Sequence, residues 1–220
     1  MQEIIEGLKR YDTATVFNAL VLKMGLPNEE YTDHTIRCLV PELGSAVGFA
    51  VTAEVTTNDA DSPGLGLGLE WVDYYAYLES QPGPLLAVLQ DIDSRPGRGA
   101  SFGDGMARLH RRLNVAGVLV EGTVRDLAGI GQVGLPVWAW GIVPGHGVFR
   151  VIRFGGPVTV GQLRIHPGDL LMADGDGCVR IPVEHAADVL RLAGEVRAKE
   201  QAIFDFYAAP DFSVARMRAQ

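Results

Sequence analysis

Residues 115–126 read VAGVLVEGTVRD, and this stretch decides the fold class. Its first half, residues 115–120, is an unbroken apolar run rich in valine, the composition of a strand buried on both faces. The run ends at Glu121-Gly122, where the chain is expected to turn, and the charged pair Arg125-Asp126 follows. In α/β proteins ligands gather beyond the carboxyl ends of buried strands, so the pair stands where chemistry is usually placed.

Working outward, residues 103–113 predict a helix that opens on a glycine-containing loop, and residues 85–92 a second apolar strand closed by Asp91, Asp93, Pro96 and Gly97. Downstream, residues 136–140, 148–154 and 157–160 predict strands, and residues 170–173 and 178–181 flank the turn Asp174-Gly175-Asp176-Gly177. Upstream, residues 47–56 predict a strand, residues 58–68 a loop and residues 70–80 an aromatic-rich helix. Residues 1–25 hold two helical patterns, with Asp12 or Thr13 as cap, Val16, Leu20 and Met24 on one face, and Gly25 and Pro27 as the stop. Residues 183–207 form a long helical pattern with Val189, Leu190, Ala193, Val196 and Ile203 on its apolar side, and the tail beyond Pro210 reads as loosely ordered. Alternating strands and helices followed by short strands and a terminal helix give one mixed α/β domain over residues 1–220.

With 220 residues, 47% of them apolar, the chain has ample material for a continuous core. A formal net charge of −8 excludes a nucleic-acid surface, which needs clustered cations. Arg108, Arg111 and Arg112, at helical spacing around His110, read as a solvated helix face. No unbroken apolar run suits a signal peptide or a membrane span. Cys38 and Cys178 stand apart with no CxxC pairing, as expected in the reducing cytoplasm. The GLGLG run of residues 64–68 fails as a dinucleotide motif because Leu69 stands where the third glycine belongs. The five histidines show no HxxxH spacing and read mostly as surface residues; His146, between two glycines, reads as a turn residue, with a substrate contact as the alternative. Trp71, Trp138 and Trp140 read as core or interface anchors. There is no GxSxG, so a nucleophilic serine is excluded.

Three residues carry chemistry. Asp104 lies near a helix start, with twenty residues between it and Arg125-Asp126, and a strand-helix-strand path would return its carboxylate to that pair. Arginine holds a carboxylate in a bidentate fork, while aspartate binds hard cations through oxygen. Free amides at Gly105 and Met106 would add donors for an anion at the helix start. On residues alone, a structural Arg-Asp ion pair explains the pair equally well.

The segments FGDGMARLHRRLNVAGVLVEGTVRDLAGI (residues 102–130), LPVWAWG (135–141) and PVTVGQLRIHPGDLLMADGDGCVRIP (157–182) resemble the RraA-like family. That family holds the regulator of RNase E activity A and the class II 4-hydroxy-4-methyl-2-oxoglutarate/4-carboxy-4-hydroxy-2-oxoadipate aldolases. The most specific likeness is the aldolases' D-x20-R-D motif, met by Asp104, Arg125 and Asp126.

The resemblance implies that Asp126 ligates Mg2+ or Mn2+, that Asp104 holds metal-bound water, and that Arg125 contacts the pyruvyl part of a substrate. It places the Gly105 and Met106 amides on the substrate carboxylate and gives a neighbouring subunit's Glu200, or else Glu195, the outer metal shell. It also implies a layered α/β/β/α domain resembling the swivelling phosphohistidine domains, assembled as a homotrimer or hexamer with the site between subunits. The implied activity is cleavage of a 4-hydroxy-2-oxo acid, with oxaloacetate decarboxylation through the same enolate; the alternative is a non-catalytic regulator of RNase E. Two departures from the family pattern are Gly175, where many relatives have Asp, and Gly129, where some have an acidic residue.

Overall fold

A computed structural model describes residues 1–57 and 70–218. The loop expected over residues 58–68, with its GLGLG run, lies outside them. The strands are β1 (Arg37–Cys38), β2 (Ala46–Thr56), β3 (Leu85–Asp91), β4 (Ala100–Phe102), β5 (Val115–Val124), β6 (Val137–Ile142), β7 (Arg150–Phe154), β8 (Val158–Val160), β9 (Leu163–Ile165), β10 (Leu170–Asp174) and β11 (Gly177–Ile181). The helices are α1 (Gln2–Leu8), α2 (Thr13–Met24), α3 (Trp71–Ser80), α4 (Asp104–Arg112), α5 (Leu127–Val133), α6 (Ala186–Ala208) and α7 (Val214–Met217).

Nine strands form one sheet in the order β1-β6-β5-β3-β2-β10-β11, with β4 paired to β5 and β7 to β2. The pairings among β2, β3, β5 and β6 are parallel, because each return runs through a helix or a long crossover. Successive side chains of a strand point to opposite faces, and β3 shows what that does here. Its Leu85, Ala87 and Leu89 pack with Tyr74 and Leu78 of α3, Ala107 of α4 and Ile130 of α5. Its Leu86 and Val88 face the other way, onto Val158, Val160, Leu163 and Ile165 of the β8-β9 hairpin. A third cluster joins Ile5 and Leu8 of α1, Val16 and Leu20 of α2, and Val189 and Ala193 of α6 to β10 and β11. The result is the layered α/β/β/α arrangement, with helices outside and β layers within.

The capping expectation holds for α2, where the Asp12 carboxylate accepts from the Thr15 amide. Met24 departs from the expected buried face: Val16 and Leu20 are fully buried, while Met24, at the helix end beyond the core, is exposed. Ile203 is exposed too, because α6 outruns the core beneath it. The tail beyond Pro210 is not wholly irregular, since Ser213 caps the short helix α7. Strands β1, β4 and β9 and helix α5 were not expected; each is too short for its periodicity to register.

The largest correction concerns β5. The chain does not turn at Glu121-Gly122. It bulges there, slipping register against β6 between Val120 and Thr123, and pairing resumes through Val124. Arg125 and Asp126 therefore leave directly from the strand end. Among the described residues no helix is long and apolar enough to cross a membrane.

Candidate active site

Two adjacent parallel strands end at the same level: Phe102 of β4 pairs with Val124 of β5, and the Arg125 amide donates to the Phe102 carbonyl at 2.9 Å. A helix begins just beyond each strand. Helix α4 starts at Asp104 after the cap residue Gly103, and α5 starts at Leu127 after Asp126. The first three amides of α4, those of Asp104, Gly105 and Met106, have no partner within the helix and point out of its start. Its first helical bond to the cap runs from the Ala107 amide to the Gly103 carbonyl.

Each carboxylate lies against the other helix's start, and glycine makes room for both. A Cβ at Gly129 of α5 would sit 2.7 Å from both Cβ and Oδ2 of Asp104, and one at Gly103 would sit 3.0 Å from Asp126 Oδ2. The sequence departure at Gly129 is thus what lets α5 approach Asp104.

Asp104, Arg125 and Asp126 line one cavity of about 230 Å³, together with Gly103, Gly105 and Met106. The spacing expectation that the chain returns Asp104 to the Arg-Asp pair therefore holds in space. Arg125 Nε lies 3.2 Å from Asp126 Oδ2, with roughly two-fifths of each side chain exposed. Arg108 adds a looser contact to Asp104 Oδ2 at 3.9 Å. An ion pair this exposed contributes about 0–1 kcal/mol. Asp126 also takes the left-handed conformation, φ 57° and ψ 38°, which costs an ordinary residue about 1–2 kcal/mol, less for aspartate. Stability gained from the pair and strain at Asp126 are thus both small and of similar size, so the pair adds little net stability.

Two further lining residues, Phe102 and Phe149, escaped the sequence reading and form apolar walls. His146, read first as a turn residue and second as a substrate contact, lines the cavity as well. Phe149 is held from behind: its ring stacks on Trp71 at 4.5 Å, and the Trp71 indole N–H donates to its carbonyl at 3.1 Å. Trp71 is therefore a support of the site wall. His146 Nδ1 lies 2.8 Å from the Gly147 carbonyl, and an N–H there would donate to it. The flanking glycines are the signal that singles out His146; nothing local marks Phe149.

His110 is the clearest misreading. Instead of a solvated face it is fully buried on the inner side of the last turn of α4, between Met106 and Tyr74. Nδ1 sits 2.8 Å from the Met106 carbonyl and Nε2 3.0 Å from the Tyr74 hydroxyl. Burial pushes its pKa down to about 4, so it is a neutral imidazole donating to Met106 and accepting from Tyr74.

Glu200 does not reach the cavity of its own chain. It lies on α6 and accepts from Asn18 Nδ2 at 3.4 Å, while Glu195 pairs with Arg191. The Asp174 carboxylate of the ADGDG turn accepts from the Thr13 amide and hydroxyl at 2.7 and 2.6 Å, so it serves α2 and the turn. Among the described residues no three His, Cys, Asp or Glu side chains cluster as a metal cage. A hard divalent ion that keeps most of its waters needs only one or two carboxylates, and Asp104 and Asp126 on one open cavity fit that kind of ion.

A sequence model described as RraA-like, Aldolase/RraA, matches residues 13–180. The chain belongs to the RraA-like family. A Halalkalibacterium halodurans protein provisionally named 4-hydroxy-4-methyl-2-oxoglutarate aldolase is 29% identical over 133 residues, 58% of this chain and 60% of that protein. Matched segments span between 17% and 60% of the curated relatives' own lengths. Streptomyces coelicolor RraAS2, an unusual member of the RNase ES inhibitor RraA protein family, has a solved structure with a TM-score of 0.69 and 27% identity, over 90% of this chain and 94% of that one. An uncharacterized Pseudomonas syringae protein has a TM-score of 0.78 at 23% identity over 100% of this chain and 94% of that one, a likeness of RraA-like fold alone. The RraA-like family thus contains both aldolase and RNase-inhibitor branches.

Proposed function

We propose that this RraA-like protein is a divalent-metal-dependent lyase that splits a C–C bond in small 4-hydroxy-2-oxo acids and decarboxylates oxaloacetate. The observation that carries the reading is the convergence of Asp104, Arg125 and Asp126 on one cavity at the open start of α4. Asp126 would hold Mg2+ or Mn2+ directly, with Asp104 holding its waters, and the ion when bound supplies Lewis-acid stabilisation of the enolate oxygen.

The chain's own groups do the rest. Arg125 forks onto the 2-oxo acid carboxylate, where a planar cation with fixed donors outperforms lysine. The Gly105 and Met106 amides face the same carboxylate with the positive end of the helix dipole. Asp104 orients the water that takes the C4 hydroxyl proton and returns one to C3 of the enolate. Lys9, Lys23 and Lys199 all lie on α1, α2 or α6 or at their ends, away from these residues, so a Schiff base plays no part in this scheme. The working unit is a cytoplasmic homotrimer or hexamer in which the neighbour's Glu200 completes the site.

The test is oxaloacetate with Mg2+, pyruvate being followed over time. The expected result is turnover abolished by EDTA, restored by Mg2+ and lost in Asp126→Ala; EDTA-resistant turnover or a fully active Asp126→Ala sinks the proposal. The likeness to RraAS2 favours a second reading, a protein-binding regulator of RNase E. Such a role makes no use of the three converging charged residues, and failure to capture an RNase E scaffold segment in a pull-down would end it.

A further inference from the structure

His146 shares the cavity with Asp104, Arg125 and Asp126, and the chain holds its loop from both sides. Before it, the Val143 amide donates to the Val124 carbonyl at 3.0 Å, and the Ala100 amide donates to the Gly145 carbonyl at 2.8 Å. These bonds tie the loop to β5 and β4, the two strands whose ends set the level of Arg125 and Asp104. After it stands Phe149, in the left-handed conformation with φ 53°. A bulky residue rarely adopts that conformation unless its surroundings hold it, and here the stack and hydrogen bond from Trp71 do so. The His146 ring lies beside the Phe149 ring, their centroids 6.4 Å apart.

The imidazole is also fixed in its tautomer. The Gly147 carbonyl can only accept, so the 2.8 Å contact puts a proton on Nδ1 and leaves the lone pair of the neutral ring on Nε2. A general base is built in this way: one ring nitrogen committed to a carbonyl, the other carrying the lone pair, at the wall of the cavity.

From this we propose that His146 is a further catalytic residue, the base that stores the proton in transit between the C4 oxygen and C3. The inference rests on the lyase reading above and deepens it. Asp104 orients the water that first takes the C4 hydroxyl proton, and a water that accepts a proton must pass it to a base. Near neutral pH an imidazole serves better for this than a carboxylate. In the reaction the C4 O–H bond breaks and its electron pair closes the new carbonyl. The C3–C4 bond breaks and its pair stays on the three-carbon fragment as the pyruvate enolate. The proton passes through the water to Nε2, giving an imidazolium. It returns along the same path to C3, the C2 carbonyl re-forms and His146 is neutral again. Oxaloacetate differs, since its C–C bond breaks with loss of CO2 and there is no hydroxyl proton to store.

The proposal thus separates two reactions of one enolate. Exchange of the C3 hydrogens of pyruvate in D2O is the proton step run alone and needs His146; cleavage of oxaloacetate does not. Both are measured with Mg2+ in the wild type, His146→Asn and His146→Ala, exchange by proton NMR and cleavage by pyruvate formation. Asparagine keeps a donor for the Gly147 carbonyl but supplies no ring base. Exchange is expected to fall about a hundredfold in both variants, at the lower end of what acid–base catalysis contributes, with oxaloacetate cleavage within about threefold of wild type. Nitrogen-15 spectra of the wild type give a readout without turnover, the neutral His146 ring carrying its proton on Nδ1. Exchange that survives in His146→Asn, an equal fall of both reactions, or a neutral ring protonated on Nε2 overturns the inference and spares the lyase reading. So does a wild type that cleaves oxaloacetate without exchanging pyruvate. A wild type that performs neither reaction overturns both.

Discussion

Protonating His110 should loosen the packing of α4 against α3, and the size of the effect follows from its surroundings. Its Nδ1–H is committed to the Met106 carbonyl and its Nε2 lone pair to the Tyr74 hydroxyl, so a second proton would expel Tyr74 and bring an unpaired charge into the core. Burial accordingly lowers its pKa from 6.5 to about 4. The unfolded chain binds this proton near pH 6.5 and the folded chain only near pH 4, so between those values the unfolded state holds more protons. Stability is whole above about pH 6.5 and falls as pH drops towards 4, by about 2 kcal/mol at pH 5 and roughly 3 kcal/mol over the full window. Asp12, Asp33 and Asp188, held below the usual carboxylate range, lose their contributions only below about pH 4, outside that window. Urea unfolding at pH 7.5 and pH 5 reads the effect as a drop in midpoint at constant slope. His110→Gln keeps one donor and one acceptor but cannot titrate, so it should be less stable at pH 7.5 and nearly insensitive to this change of pH. A wild type whose midpoint moves no more than that of His110→Gln would refute the reasoning.

Arg125→Lys should lower oxaloacetate kcat/KM about a hundredfold, since the two-pronged contact is lost, while the unfolding midpoint hardly moves because the exposed Arg125-Asp126 pair adds little stability. Gly129→Ala gains helix propensity but drives a methyl group to within 2.7 Å of Asp104, so turnover should fall at least tenfold in steady-state assays. Asp174→Ala removes the acceptor for the Thr13 amide and hydroxyl; calorimetry should show about 1–2 kcal/mol of destabilisation, with turnover unchanged.

The long apolar runs made most of the fold legible. Strands β2, β3, β5 and β10 carry periodicities that a neighbouring helix does not imitate, and Asp12 marks the start of α2 chemically. Strand β4 and helix α5 were not legible, because three and seven residues are too few for a period to declare itself. Those two elements are also the ones that bring the site together. The D-x20-R-D spacing could say that the three residues might meet, but β4 sets their common level and α5 turns Asp126 into place. His110 was misread because three arginines surround it in sequence. On a helix the arginines take the outer arc and leave His110 facing inward, a direction that charge counting does not give. Phe149 was invisible for another reason: its role comes from Trp71, 78 residues earlier, against which it stacks.

Charge counting within the cavity ties these parts to the proposed chemistry. Two aspartates and one arginine leave one net negative charge, and two helix starts of about half a positive charge each bring the whole close to neutral. A neutral cavity gives an anionic 2-oxo acid little reason to enter, although Arg125 and the amides are oriented to receive it. A divalent cation beside Asp126 would tip the balance positive, and the arrangement then requires that cation and substrate strengthen each other's binding by the same factor. Oxalate, which resembles the pyruvate enolate, should accordingly bind weakly to the metal-free protein and at least tenfold more tightly with Mg2+ in titration calorimetry. In Asp126→Asn the apo cavity is less negative, so oxalate alone should bind slightly better than it does to the wild type while the gain from Mg2+ disappears. Equal oxalate affinity with and without Mg2+ in the wild type would mean that Arg125 and the α4 amides suffice by themselves, and the metal would lose its place in the scheme.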